Sequence, residues 1–339
     1  MVVIQSYVLA VAMCFVTMLC WGSWANTQKL ASREWRFQLF YWDYCLGVLL
    51  WSLILALTLG SIGSEGRGFF EDLAQADVNR IGSALLGGII FNLGNILLVT
   101  AIDIAGMAVA FPIGVGLALI IGVIMNYVIS PVGNVLLLFI GVAGISIAIV
   151  LDAIAYKKLS SGQKPPVKGI VISVLSGVCL GLFYPFVATA MPKLKTSQDF
   201  INLEAGKLGP YSAIVIASVG ILLSSFVWNS IAMKKPLAGG EPVSLGDYFK
   251  KGNLKLHSVG ILGGLIWCLG FSFSILASSE AGFAISYGLG QGATMIAAFW
   301  GVFIWKEFKQ APPGTNKLIA LMFALYIISL SLIIIARVV

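Results

Sequence analysis

Two groups of uncharged polar side chains stand out within otherwise apolar stretches of the sequence. Asn92 and Asn95 are three residues apart, so both lie on one face of a helix. Tyr287, Gln291 and Thr294 follow i, i+4, i+7 spacing and also share a helix face. Amides and hydroxyls in an apolar environment must find hydrogen-bond partners on another helix or on a ligand. These residues are therefore candidates for binding a small polar molecule.

Aromatic residues in other apolar stretches complete the predicted binding site. They are Trp21, Trp24, Tyr184 and Trp267. A site with amides and hydroxyls on one side and aromatic rings on the others suits a neutral ligand with many hydroxyl or N–H groups. The alternative is that the polar groups only join one helix to another by hydrogen bonds.

Asp43 is the carboxylate that stands out within an apolar segment, where ionisable groups are costly and are often functional. It lies among aromatic residues at the start of the second apolar segment, and a carboxylate partly withdrawn from water there could carry a proton. The alternative is an interfacial carboxylate that pairs with Lys29 or Arg36. The carboxylates at the ends of other segments are predicted to be solvated: Asp103, Asp152 and Glu280.

The sequence does not favour an enzyme. It has no G-x-x-x-x-G-K-[ST] phosphate-binding loop. Its single histidine, His257, stands at the start of an apolar segment with no Glu or second His nearby on the same helix. The five cysteines have irregular spacing that matches neither a metal site nor a disulfide framework. We expect no catalytic residues, no cofactor and no metal ion.

Composition requires a membrane protein, because 59% of the 339 residues are hydrophobic and only 10% are charged. The apolar residues form blocks of roughly 20, the length at which a helix crosses the hydrocarbon core of a bilayer. We predict an all-α membrane protein with ten transmembrane helices, at about 6–25, 40–60, 81–102, 105–128, 135–153, 169–191, 210–232, 258–278, 281–304 and 318–336.

The basic residues predict the orientation. Fifteen of the 21 Lys and Arg residues fall in odd-numbered loops, and cytoplasmic loops are enriched in these residues. We therefore expect the odd-numbered loops to be cytoplasmic, with both termini on the periplasmic side of a bacterial inner membrane. This sorting accounts for the net charge of +7 without a nucleic-acid partner.

An internal repeat divides the chain. At a constant offset of 176 residues, identities run without a gap from Gly87-Gly88 against Gly263-Gly264 to Gly116 against Gly292. We predict two five-helix halves, residues 1–160 and 161–339. Because five is odd, the second half must insert upside down, which gives the inverted repeat common in secondary transporters. Within the repeated helices, Pro112 and the glycines 288, 290 and 292 are expected to bend or unwind helices 4 and 9.

These features resemble the drug/metabolite transporter superfamily. The similarity lies in the 5+5 arrangement, the Trp21-Gly22-Ser23-Trp24 segment and the paired glycine-rich hairpins at 94–116 and 270–292. Within the superfamily, Gly94-Asn95-Ile96-Leu97 and Pro112-Ile113-Gly114 are most similar to the glucose/ribose porter, rhamnose symporter and plant ureide permease group. The resemblance implies a proton-coupled or facilitated carrier for sugars, or for ureides and nucleobase-like compounds.

We therefore predict a secondary active transporter that takes up a small neutral polar metabolite, most simply a monosaccharide, by alternating access. Asp43 would carry the coupling proton, and the protein would act in the bilayer as a monomer or homodimer. The alternatives are a ureide or nucleobase permease and an exporter of drugs or metabolites. An ion channel is less consistent with the sequence, which has no evident selectivity filter.

Overall fold

The computed structural model describes residues 1–31, 34–159, 166–193 and 198–339. Over those ranges the protein is helical and contains ten helices long and apolar enough to cross a membrane. The predicted fold class, an all-α integral membrane protein, is confirmed. We number the helices in chain order: α1 Tyr7–Ala31, α2 Phe37–Leu57, α3 Val78–Ala105, α4 Met107–Ile129, α5 Val135–Lys157, α6 Val167–Ala190, α7 Pro210–Lys234, α8 Leu254–Ala281, α9 Phe283–Ile304 and α10 Thr315–Ile335.

Helix α9 is interrupted where glycines are concentrated. Its first piece, Phe283–Gly290, is followed by a turn at Gln291 and Gly292, and the helix resumes at Ala293–Phe299 before a π-helical turn at Trp300–Ile304. The prediction of an unwound segment is thus confirmed for α9. Helix α4, in contrast, continues through Pro112 without a break.

Close helix contacts use glycines at equivalent positions of the repeat. Helix α3 packs against α6 and α7, whereas α8 packs against α1 and α2. At Gly88 the backbone of α3 lies against the Ala217 carbonyl of α7, and at Gly264 the backbone of α8 lies against the Tyr44 carbonyl of α2. A methyl group at either glycine would overlap the neighbouring helix, so both crossings require the missing side chain.

The loops alternate between the two ends of the bundle. We call the end with the loops α1–α2, α3–α4, α5–α6, α7–α8 and α9–α10 the odd-loop face, and the opposite end, with both termini, the even-loop face. The predicted boundary between the halves, at residues 160 and 161, lies outside the described residues, as do Arg33, Lys164 and Lys195 of the loop-charge argument. The two inverted halves and the sidedness therefore stay predictions.

Candidate functional site

A cavity of about 460 Å³ lies in the middle of the bundle. Helices α1, α3, α4, α5, α6, α8 and α9 all contribute to its wall. Exposed side chains at the odd-loop face form its rim, among them Lys29, Asp103 and Glu307. Its volume is in the range of small-molecule sites. The cavity is thus open toward the odd-loop face.

Most of the predicted binding residues line this cavity. The lining includes Trp21, Trp24, Asn95, Trp267, Tyr287, Gln291 and Thr294. Asn92, Tyr184 and Asp43 are not part of it. The polar faces of α3 and α9, identified from residue spacing alone, therefore converge on one space.

Two amides are positioned to contact a ligand in different ways. Asn95 is buried, and its Nδ2 donates to the Tyr41 hydroxyl at 3.2 Å, which fixes the amide against α2. Gln291 lies at the interruption of α9 and is half-buried. No hydrogen bond joins the Gln291 side chain to any described residue, so its donor and acceptor are both available to a ligand.

The hydroxyl groups on α9 already have protein partners. The Tyr287 hydroxyl lies 3.2 Å from both the Ala118 and the Leu180 carbonyl oxygens, to which it can donate. Thr294 donates to the Gln291 carbonyl at 2.9 Å and accepts from the Tyr326 hydroxyl at 2.7 Å. These side chains shape the wall and hold the broken helix.

Aromatic rings form one wall of the cavity. The Trp21 and Trp267 rings are nearly parallel, at 13° and 6.3 Å between centroids, and Trp21 Nε1 donates to the Trp267 carbonyl at 3.3 Å. Phe91 packs on Trp267 at 4.1 Å and was not predicted, although it precedes Asn95 by one helical turn. The Trp24 ring instead packs against Tyr44.

Two predicted residues join helices rather than line the cavity. The Asn92 amide donates to Ser224 at 2.7 Å and to Ser225 at 3.1 Å, both on α7. Tyr184 is fully buried and donates to the Ser274 carbonyl of α8 at 3.2 Å. In this conformation both residues join one helix to another by hydrogen bonds, which was the alternative to a role in binding.

Asp43 is buried in a polar cluster beside the odd-loop face. Tyr248, in the short helix Leu245–Lys251, donates to its Oδ1 at 2.5 Å, and Trp35 donates to its Oδ2 at 3.2 Å. His257 Nδ1 lies 2.9 Å from Oδ1. Burial, with the hydrogen bond to this carboxylate, raises the pKa of Tyr248 and keeps its hydroxyl a donor.

The alternative hypothesis, in which Asp43 pairs with Lys29 or Arg36, is therefore wrong. Lys29 pairs with Glu307 at 2.6 Å, and Arg36 donates to the Glu241 carbonyl. From the sequence, partners of His257 were considered only on its own helix, whereas its partner, Asp43, lies on α2.

The sequence did not predict that carboxylates line the cavity mouth. Asp152 is only 7% exposed and lines the cavity, which corrects the prediction of a solvated helix end. One turn further along α5, the Tyr156 hydroxyl donates to Glu307 Oε2 at 2.7 Å. Glu307 also pairs with Lys29, and the Lys29 ammonium lies over the Trp305 ring at 4.3 Å. The i, i+4 spacing of Asp152 and Tyr156 was the available sequence signal.

The even-loop face is closed by hydrogen bonds between distant parts of the chain. The Tyr7 hydroxyl donates to the Ile334 carbonyl at 2.6 Å, and Ser279 donates to the Ile4 carbonyl at 3.0 Å. Arg67 pairs with Asp72 at 3.1 Å and donates to the Lys207 carbonyl at 2.9 Å. The cavity is thus open at the odd-loop face, and hydrogen bonds and an ion pair close the even-loop face.

Comparison with known proteins agrees with this architecture. The family model for ureide permeases matches residues 40–168 and 156–336. Ureide permease 1 of Arabidopsis thaliana is 24% identical over 98% of both chains. A probable glucose uptake protein of Bacillus anthracis is 23% identical over 72% of this chain and 75% of its own length. A solved crystal structure shares the fold over 97% of both chains, with a TM-score of 0.60 and 15% identity. The chain belongs to the ureide permease family, whose members are transporters and not enzymes.

Proposed function

We propose that this protein is a secondary carrier that moves a small polar metabolite across the membrane by alternating access. The observation that carries the proposal is the central cavity, which is open at the odd-loop face while the even-loop face is held shut. A channel would need a path continuous through both faces. A carrier needs one face closed whenever the other is open.

The packing of the helices supports a carrier built from two exchangeable halves. The contacts of α3 with α6 and α7 correspond to those of α8 with α1 and α2, and the contact of α4 with α6 corresponds to that of α9 with α1. Exchanging helices 1–5 with 6–10 therefore reproduces the main contacts. In such an arrangement, the same contacts can form in a second state with the two faces interchanged.

The cavity chemistry favours a ureide-type cargo, a flat molecule with several N–H donors. Acceptors are concentrated in the cavity, namely the amide oxygens of Asn95 and Gln291 and the carboxylates of Asp103 and Asp152. The half-buried Trp21 ring in the cavity wall offers a flat apolar surface on which such a molecule can stack. The match to Ureide permease 1 over nearly the whole chain supports the same class.

A monosaccharide, which was the first choice from the sequence alone, is the second candidate. Its specific support is the likeness to a probable glucose uptake protein and to a putative sugar uptake protein of Listeria innocua, which is 24% identical over 75% of this chain. Sugar hydroxyls could use the same amides, and a pyranose ring could stack on the half-buried Trp21 ring.

We further propose that uptake is coupled to protons through Asp43. Its carboxylate is 1% exposed and lies within hydrogen-bond distance of His257, and buried carboxylates within membrane segments often carry protons. We retain the predicted bacterial inner membrane, with the odd-numbered loops in the cytoplasm, and a monomer or homodimer as the transporting unit.

The test of cargo class is uptake by the purified protein in proteoliposomes. Radiolabelled allantoin, a ureide, and radiolabelled glucose are supplied separately, each with an excess of the other or of a close analogue as competitor. We expect saturable allantoin uptake that hydantoin inhibits and glucose does not. Saturable glucose uptake that only stereoisomeric sugars inhibit would replace the ureide assignment with the sugar assignment. Liposomes without protein supply the background.

A further inference from the structure

One carboxylate in the cavity has no partner among the residues that the structure describes. Asp152, on α5, is 7% exposed and lines the cavity. No described residue donates a hydrogen bond to its carboxylate or forms an ion pair with it. This is unusual, because buried carboxylates are normally paired or hydrogen-bonded. Its carboxylate is therefore available to a ligand or a proton from the cavity.

The groups around Asp152 make an ionised form costly. The charged or titratable side chains facing it are Glu307 from the segment after α9, Tyr156 from α5 itself and Tyr326 from α10. Helix α4, which packs on α5, has no charged residue between Met107 and Ile129. The Lys29 ammonium, a cationic group that lines the cavity mouth, is bound to Glu307 at 2.6 Å.

We propose that Asp152 is a proton-binding site of the cavity, separate from Asp43, and that the cavity can close at the odd-loop face only when Asp152 is protonated. This inference rests on the proposed alternating access. Water in the open cavity hydrates the ionised carboxylate. Closure removes that water and leaves a negative charge beside Glu307 with no compensating cation, a cost that protonation removes.

A proton fits this site better than a metal ion. A proton binds one carboxylate oxygen covalently and requires no additional ligand, whereas hard metal cations in proteins take six or more oxygen ligands. Among the residues that the structure describes, no group of three or more His, Cys, Asp or Glu side chains comes together. The site offers one unpartnered carboxylate, which is sufficient for a proton.

Asp152 takes up a proton at one face and releases it at the other. In the state open to the odd-loop face, a hydronium ion gives a proton to a carboxylate oxygen of Asp152, which becomes a neutral carboxylic acid, and water is left. After the cavity has closed and opened to the other face, the acid returns the proton to water and regenerates the carboxylate. One proton therefore crosses for each closure, whichever cargo occupies the cavity.

The test measures closure of the mouth without any cargo. Spin labels are attached to cysteines that replace two exposed residues, Met107 at the start of α4 and Lys309 in the loop α9–α10. Electron–electron distances are recorded in proteoliposomes between about pH 5 and pH 8, and the same protein without the two added cysteines supplies the background. We expect the ratio of short to long distances to rise as the pH falls, by at most about tenfold per pH unit for one proton.

Three variants decide the result. Asp152→Asn should give the short distance at every pH, Asp152→Glu should retain a pH-dependent shift, and Glu71→Gln, which removes an exposed carboxylate outside the cavity, should follow the parent. Elution of each variant as a single species in size-exclusion chromatography checks folding. The proposal is overturned if Asp152→Asn still shifts with pH as the parent does, or stays open at every pH. Either result would leave the transport proposal intact, because no cargo is used.

Discussion

Replacing Gln291 with Ala should weaken cargo binding without weakening the fold. The Gln291 side chain is half-buried at the interruption of α9 and lines the cavity. It makes no hydrogen bond to any residue in the described ranges, so truncation leaves no protein group unsatisfied. At most other polar cavity residues a substitution would affect both cargo binding and stability, because Asn95, Tyr287 and Thr294 all have protein partners.

The expected magnitude follows from the number of bonds that the amide can make. One donor and one acceptor can serve the cargo, and each hydrogen bond contributes about 0.5–1.5 kcal/mol. Losing both would cost about 1–3 kcal/mol, which corresponds to about a 5- to 150-fold weaker affinity. The thermal unfolding midpoint should change little, since surface-like substitutions usually alter stability by about 0.5 kcal/mol or less.

The assay compares the KM for exchange in proteoliposomes with the thermal midpoint of the same preparation. Gln5→Ala is the matched control, because Gln5 is an exposed residue before α1 and does not line the cavity. It should change neither quantity. An unchanged KM for Gln291→Ala would refute the placement of cargo beside the α9 interruption. A lower midpoint would show that the amide has a structural partner.

Three other predictions concern different parts of the molecule. Asp43→Asn should lower accumulation driven by a pH gradient but preserve cargo exchange at equal pH, and the proton carried by Asp152 should sustain the remainder; gradient-driven uptake at the parental level would contradict its coupling role. Gly88→Leu should destabilise the protein by about 3 kcal/mol or more, because its side chain would overlap the Ala217 carbonyl. Gly82→Ala, which meets no atom within 4 Å, should instead be stabilising by about 0.5–1 kcal/mol, and equal midpoints for the two glycine variants would refute the close crossing. Tyr184→Phe should cost about 0.6 kcal/mol and leave the KM unchanged, because its hydroxyl bonds only inside the protein; a large rise in KM would assign it to the cavity.

The fold could be predicted from the sequence because the bilayer imposes simple requirements on the segments that cross it. Helices of about 20 apolar residues are needed to cross it, so the ten segments could be located from hydropathy. The interruption of α9 followed from the clustered glycines 288, 290 and 292. The uninterrupted course of α4 through Pro112 was not predicted, because loss of one backbone hydrogen bond at a proline can bend a helix without ending it.

The candidate site could be predicted from the sequence only in part. Helical spacing identified the faces that carry Asn95 and Gln291, and both faces line the cavity. Spacing could not indicate that the serines of α7 satisfy Asn92, because that pairing depends on which helices are neighbours. Distance from a helix end was a poor guide for Asp152, which is buried although it lies only five residues before the end of α5.

The most direct test of a carrier mechanism is counterflow. Proteoliposomes are loaded with unlabelled cargo, diluted into a trace of labelled cargo, and followed over time. An alternating-access carrier should accumulate label transiently above equilibrium, because each outward trip of unlabelled cargo returns the cavity for an inward trip. Label that only rises to equilibrium, at a rate independent of the internal cargo, would indicate a continuous pore and contradict a cavity that opens to one face at a time.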